Sequence, residues 1–296
     1  MRRATTKTPF AERVAQRLAD CVRDVARQAG LEGGEERLAA GKMLRTRLPG
    51  RIQECAGAAA PDALRDVCVA AELVHSASLC HDDVVDGSEM RRGGPSLWTE
   101  VGRTGAILVG DLLFAEAVRF VRGAGDGEYV QDFADKVKET SAAEAEQELV
   151  WRGRKPDEET HIRLARGKTG PLFAFTAAAC AEPESADADA LEEAGYLIGT
   201  AYQLADDLVD VLGSESAAGK TLGTDRRRSK YTLALSGDGG REGLRERIQE
   251  ICCDAMGALD TRPPMQEGVR RFLAEDLVPA LERHDAELAS RVKEAG

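Results

Sequence analysis

Between residues 187 and 212, Leu191, Ala194, Ile198, Ala201, Ala205, Leu208 and Leu212 recur at steps of three and four. That period lays one apolar stripe along a single long helix, and such a stripe must be buried against other elements. The rest of the chain has the same texture. Ala, Leu, Glu and Arg dominate, and β-branched runs are scarce. Breakers such as Pro49-Gly50, Pro61, Gly93-Gly94-Pro95, Pro156 and Pro183 punctuate it. The predicted helices lie near 10–29, 35–47, 62–87, 103–122, 129–151, 158–180, 187–212, 241–260 and 266–292. With no βαβ alternation, internal repeat or long linker, the pattern predicts an all-α fold and a single domain over 1–296.

Composition narrows the function. The 40 Lys and Arg against 52 Asp and Glu give a formal charge of −12. That argues against general nucleic-acid or anionic-membrane binding, which needs a basic footprint. It leaves room for a local basic pocket. The most apolar run, Gly105 to Val118, is interrupted by Asp111 and Glu116, so no membrane span is expected. Arg2, Arg3 and Lys7 are followed by no apolar core and do not read as a signal peptide. The seven cysteines are odd in number and never spaced C-x-x-C, which fits free thiols in a reducing cytoplasm.

Two acidic clusters carry the chemistry. Asp82-Asp83-Val84-Val85-Asp86 ends one predicted helix, and Asp206-Asp207-Leu208-Val209-Asp210, preceded by Gln203, ends another. Within each, the first and last Asp share a helix face. Like charges at that spacing destabilise a helix by a few tenths of a kcal/mol, and a hard divalent cation offsets this. A single copy reads as a solvated acidic face; two copies with identical spacing point to a metal ion. An EF-hand does not fit, because a loop starting at Asp82 puts Val84 and Gly93 where carboxylates are needed.

Mg²⁺ commonly joins a few carboxylates to substrate phosphates, which need cations of their own. The sequence supplies Lys42 and Arg45 in Gly41-Lys42-Met43-Leu44-Arg45, then Arg91-Arg92-Gly93, Lys168-Thr169-Gly170, Gly219-Lys220-Thr221-Leu222-Gly223-Thr224-Asp225, and Lys230. Each alone reads as an ordinary exposed pair or loop. The glycine-rich loop is not a Walker A, and His75 alone reads as a core histidine.

Taken in order, G-K-x-x-R, H-x6-D-D-x-x-D, R-R-G, K-T-G, Q-x-x-D-D-x-x-D and G-K-x-x-G-x-D, the chain resembles the trans-polyprenyl diphosphate synthases of the farnesyl, geranylgeranyl and longer-chain type. The resemblance covers roughly 38–235. It implies a helical bundle around a deep central cavity, a homodimer, and transfer of an allylic group from its diphosphate to isopentenyl diphosphate. It also implies that Asp82, Asp86 and Asp206, supported by Asp83 and Asp210, hold three Mg²⁺ ions. Arg91, Lys168, Lys220 and Lys230 would then grip the allylic diphosphate. Lys42, Arg45, His75 and Arg92 would grip that of isopentenyl diphosphate, and Thr169 and Gln203 would border the reacting carbons.

The chain departs from the family pattern at several points. Ala40, Met43 and Thr46 stand where the family often has Gly, Arg and Pro, and Ala234 where it often has Pro. Ala145-Glu146-Gln147-Glu148-Leu149 replaces a common Gly-Glu/Gln signature, so an unusual wall to the prenyl pocket is expected. Ala77 and Ser78, small residues about one turn before Asp82, are expected to let a tail of C20 or longer pass. Two rival readings remain: a class I terpene cyclase, although no N-x-x-x-S-x-x-x-E pattern is present, and a non-catalytic subunit of a heteromeric synthase, although both aspartate motifs are intact.

Overall fold

The structure is a computed structural model that describes residues 9–31, 38, 41–57, 62–212, 240–282 and 284–296. The expectations for Lys220, Lys230 and Ala234 lie outside the described residues, as does the side chain of Leu212. The helices are α1 (Phe10–Gln28), α2 (Leu44–Ala56), α3 (Asp62–Asp86), α4 (Leu97–Gly123), α5 (Val130–Leu149), α6 (Glu158–Ala178), α7 (Ala186–Leu212), α8 (Gly240–Gly257), α9 (Pro263–Phe272), α10 (Val278–Glu282) and α11 (Ala286–Ala295). A two-stranded hairpin, β1 (Met90–Arg91) and β2 (Gly94–Pro95), sits between α3 and α4.

The stripe on α7 is buried from Leu191 through Leu208. It faces a core shared with α2, α8, α9 and α11, to which α6 adds Phe173. A second core joins α1, α3 and α4 with Phe133 of α5, and takes Leu172 and Phe175 from the neighbouring positions of α6. Helix α6 therefore seams the two cores. It lies unusually close to α7, because a Cβ on Gly199 would stand 2.6 Å from the Gly170 Cα, and one on Gly195 2.6 Å from the Ala174 Cα. Asp157 caps α6 by accepting the Thr160 N–H at 2.8 Å, with Glu158 and Glu159 in the first turn favouring its positive end.

Several expected boundaries are corrected. Only the end of the helix expected over 35–47 is seen among the described residues: α2 starts at Leu44, after Met43 in the left-handed region at φ 52°, and runs through Pro49 to Ala56. Pro49 removes one backbone N–H, but packing overrides it. Leu48, Pro49, Gly50 and Ile52 are buried, and a Cβ on Gly268 of α9 would stand 2.5 Å from the Ile52 Cα. Helix α4 begins at Leu97 rather than 103 and accommodates a kink at Gly102, φ 75°. The expected 266–292 helix is interrupted by a π turn over Leu273–Leu277, resumes as α10 and starts again after Asp285, whose carboxylate accepts the Leu288 N–H at 3.0 Å. In that π turn the buried Asp276 accepts from Arg47 at 2.9 Å and Arg51 at 2.7 Å, tying the C-terminal helices to α2.

The hairpin was not expected. Arg92 (φ 53°) and Gly93 (φ 76°) form its turn, both in the left-handed region that two-residue hairpins use. It folds the chain back along the end of α3 as soon as the first acidic cluster is complete. No helix among the described residues is long and apolar enough to cross a membrane.

Candidate active site

A cavity of about 710 Å³ is lined by α2, α3, α5, α6, α7, α10 and the hairpin. Asp82 and Asp86 from the last turns of α3 and Asp206 and Asp210 from the last turns of α7 all line it. Four carboxylates from two helices are a hard oxygen donor set, suited to Mg²⁺. Among the described residues no three His, Cys, Asp or Glu side chains stand close enough to cage an ion.

Asp83 is placed differently from its neighbours. It does not line this cavity and is only 4% exposed. Its Oδ1 accepts from Arg91 Nε at 3.0 Å, so it fixes a cation that does line the cavity. Burial pushes the Asp83 carboxyl upward against the pull of Arg91.

The basic residues of the first motif gather at the end of the cavity formed by α2. Arg45 is 8% exposed, its guanidinium lies 5.2 Å from the centre of the Phe173 ring, and its Nε–H is buried without a protein acceptor. A buried guanidinium donor of this kind fits an anionic ligand. Burial pulls the Arg45 guanidinium down from its ordinary value, with Glu72 opposing; an arginine nevertheless stays charged. Arg92 reaches across to this segment: a Cβ on Gly41 would stand 2.8 Å from Arg92 Nη2. The glycine of G-K-x-x-R is therefore the space in which Arg92 lies. His75 lines the same region. Burial first, then Arg45, Arg92 and Arg91, hold its imidazole well below the usual range. At neutral pH it offers a neutral hydrogen-bonding ring, not a charge.

A further polar group of the cavity is built on α6 and α7. Lys168 Nζ donates to Gln147 Oε1 at 2.7 Å and pairs with Glu144 at 3.0 Å. Thr169 Oγ1 donates to Gln203 Oε1 at 2.6 Å, Gln203 Nε2 donates to Asp207 Oδ1 at 2.9 Å, and His161 Nε2 lies 2.9 Å from Asp207 Oδ2.

The structure revises what the sequence departures meant. Thr46 donates both its N–H (3.2 Å) and its hydroxyl (3.0 Å) to the buried Glu72, which a proline there could not do. Met43 lines the cavity. Leu149 is 82% exposed and does not line it, so it is no part of the pocket wall; Ala145, Gln147 and Glu148 are. Ser78 lines the cavity and donates to the His75 carbonyl at 2.9 Å. Ala77 does not: it is buried in the α3–α4 seam, its carbonyl 3.2 Å from where a Gly110 Cβ would lie.

Sequence reasoning missed Glu72, Thr140, His161, Tyr202, Asp207 and His284 as lining residues. Glu72 precedes His75 by three residues, a spacing that shares its helix face and could have found it. His161 lies two turns before Lys168 on the same helix. Asp207 stood within the second acidic cluster but was given no role of its own, and Thr140, Tyr202 and His284 carried no signal.

Residues 34–245 match the family model described as polyprenyl synthetase. The chain is 32% identical over 236 residues, 76% of its length and 72% of the relative's, to the short chain isoprenyl diphosphate synthase of Methanothermobacter thermautotrophicus. It is 37% identical over 177 residues, 57% of its length, to the geranylgeranyl diphosphate synthase of Mycobacterium tuberculosis, spanning half of that protein. Its fold is similar to that of the polyprenyl synthase from Caulobacter crescentus, with a TM-score of 0.75 at 23% identity, covering 96% of this chain and 97% of the other.

Proposed function

Since the chain belongs to the polyprenyl synthetase family, we propose that it condenses an allylic diphosphate with isopentenyl diphosphate, in a Mg²⁺-dependent reaction, to give a trans-polyprenyl diphosphate and free diphosphate. One observation carries the reading: the two aspartate pairs and the two basic groups line a single cavity.

Asp82, Asp86, Asp206 and Asp210 would hold Mg²⁺ against the allylic diphosphate. When bound there, the metal neutralises charge on a poor leaving group. Arg91, braced by Asp83, and Lys168, held by Gln147 and Glu144, take up further charge as the C–O bond breaks. Lys42, Arg45 and Arg92 orient isopentenyl diphosphate, with His75 as a neutral partner. Its double bond attacks the allylic cation, and loss of a proton to the departing diphosphate gives a product five carbons longer. No protein nucleophile is needed; positioning and electrostatics suffice. A terpene cyclase has no use for the second basic group around Arg45, which disfavours that alternative.

Ser78, small and cavity-lining, supports a product of C20 or longer. Ile107, Leu108, Phe114 and Val118 leave an exposed apolar face on α4, which supports a homodimer. Seven free cysteines support a reducing, cytoplasmic setting. The test is incubation with isopentenyl diphosphate and each allylic starter in turn, with and without Mg²⁺, and mass spectrometry of the products. A prenyl diphosphate one or more isoprene units longer than its starter supports the reading. Hydrolysis or cyclisation alone contradicts it.

A further inference from the structure

We propose that His161 is a positioning residue for the ionisation step, acting through Asp207 and Gln203 on the hydroxyl of Thr169; this rests on the prenyl-transfer reading above. The four residues form one hydrogen-bonded chain, and its polarity is determined at one end. Asp207 is 9% exposed and His161 4%, and both carboxylate oxygens are used, Oδ1 by Gln203 and Oδ2 by His161. A carboxylate only accepts. The His161 nitrogen facing it must therefore carry a proton, and the Gln203 atom facing it must be the amide nitrogen. The Gln203 carbonyl is then turned to Thr169, 2.6 Å away. An amide oxygen has no proton to give, so the Thr169 hydroxyl must donate to it. The lone pairs of that hydroxyl are left for the cavity that Thr169 lines.

The direction of this chain matters for a cationic reaction. An oxygen presenting lone pairs stabilises developing positive charge, whereas one presenting its proton opposes it. Gln203 alone does not choose between the two, because its amide can rotate end for end. Asp207 makes the choice, and His161 holds Asp207 as a two-sided acceptor in a buried place. Without the His161 N–H, Oδ2 loses its partner, and the Asp207 carboxylate is free to turn and release the Gln203 amide. Thr169 can then accept from Gln203 and aim its proton at the reacting carbon.

Three measurements on the full chain test this. Steady-state kinetics should show kcat down about tenfold in His161→Leu, with KM for both substrates within about threefold, since the lost interaction acts only as charge develops. His161→Gln, which keeps an N–H, should recover most of kcat. The loss should also be non-additive with Thr169→Val, because both act on one hydroxyl. Nitrogen-15 NMR of the wild-type histidines should show His161 protonated at Nε2, which needs no variant to fold. The proposal is overturned by an unprotonated Nε2, by wild-type kcat in His161→Leu, by equal losses in the Leu and Gln variants, or by additivity with Thr169→Val. Absence of any condensation by the wild-type enzyme would instead remove the prenyl-transfer reading itself.

Discussion

Arg91 grips Asp83 with two nitrogens, Nε at 3.0 Å and Nη2 at 2.5 Å from the same carboxylate oxygen. On the proposed metal reading, the second residue of D-D-x-x-D would serve this cation rather than the metal. Asp83→Asn should leave the Mg²⁺ concentration for half-maximal activity within about threefold of wild type, while Asp82→Ala raises it by an order of magnitude or more. A metal titration of both variants checks this. Equal shifts would put Asp83 among the ligands.

Arg45→Ala should raise KM for isopentenyl diphosphate by roughly 10- to 100-fold, the equivalent of about 1.5–3 kcal/mol for one charge-assisted contact, and leave KM for the allylic substrate nearly unchanged. Gly41→Ala should act in the same direction but less, about fivefold, because its methyl group must push the Arg92 guanidinium aside. Steady-state kinetics with each substrate varied in turn separate the two sites. A defect confined to the allylic substrate would reverse their assignment.

How far the site was legible depended on whether its geometry lay within one helix. Asp82 with Asp86 and Asp206 with Asp210 follow from the helical period alone, as does the buried stripe of α7. The opposite roles of Asp82 and Asp83 do not, because they depend on a hairpin that returns Arg91 to the end of α3. The partnership of His161 with Asp207 spans 46 residues and two helices, and no local pattern encodes it. Pro49 misled for a related reason: local propensity ends a helix there, but burial on both sides of α2 sustains it. Ala77 and Ser78 are neighbours in sequence, yet one turns into a helix seam and the other into the cavity.

That difference sharpens the chain-length test. Ala77→Phe should destabilise the α3–α4 packing rather than shorten the product, overpacking costing about 1–3 kcal/mol. Ser78→Phe alone should shift the main product to a shorter chain with the first condensation largely retained. Mass spectrometry of the products and thermal melts of both variants read this directly. An unchanged product distribution in folded Ser78→Phe would send the tail along another wall.

His75 sets a pH dependence of stability. Its folded-state pKa is held well below the ordinary 6.5 by burial, then by Arg45, Arg92 and Arg91. As pH falls below 6.5, the unfolded chain takes up a proton that the folded chain refuses, so stability is lost on acidification and regained on raising the pH. The slope from this one group is at most about 1.4 kcal/mol per pH unit. Denaturant unfolding of wild type and His75→Gln between pH 5 and 8 should give a shallower acid loss in the variant. Parallel curves would show that His75 titrates normally.

The most direct measurement of the central claim is diphosphate released per isopentenyl diphosphate consumed, in Mg²⁺, for wild type, Asp82→Ala and Asp206→Ala. The wild type should release one for each one consumed. Either substitution, or excess chelator, should slow both by orders of magnitude, because α3 and α7 each supply two of the four cavity-lining aspartates proposed to hold the metal. Near-normal turnover with either aspartate cluster broken, or diphosphate release that needs no isopentenyl diphosphate, would contradict it.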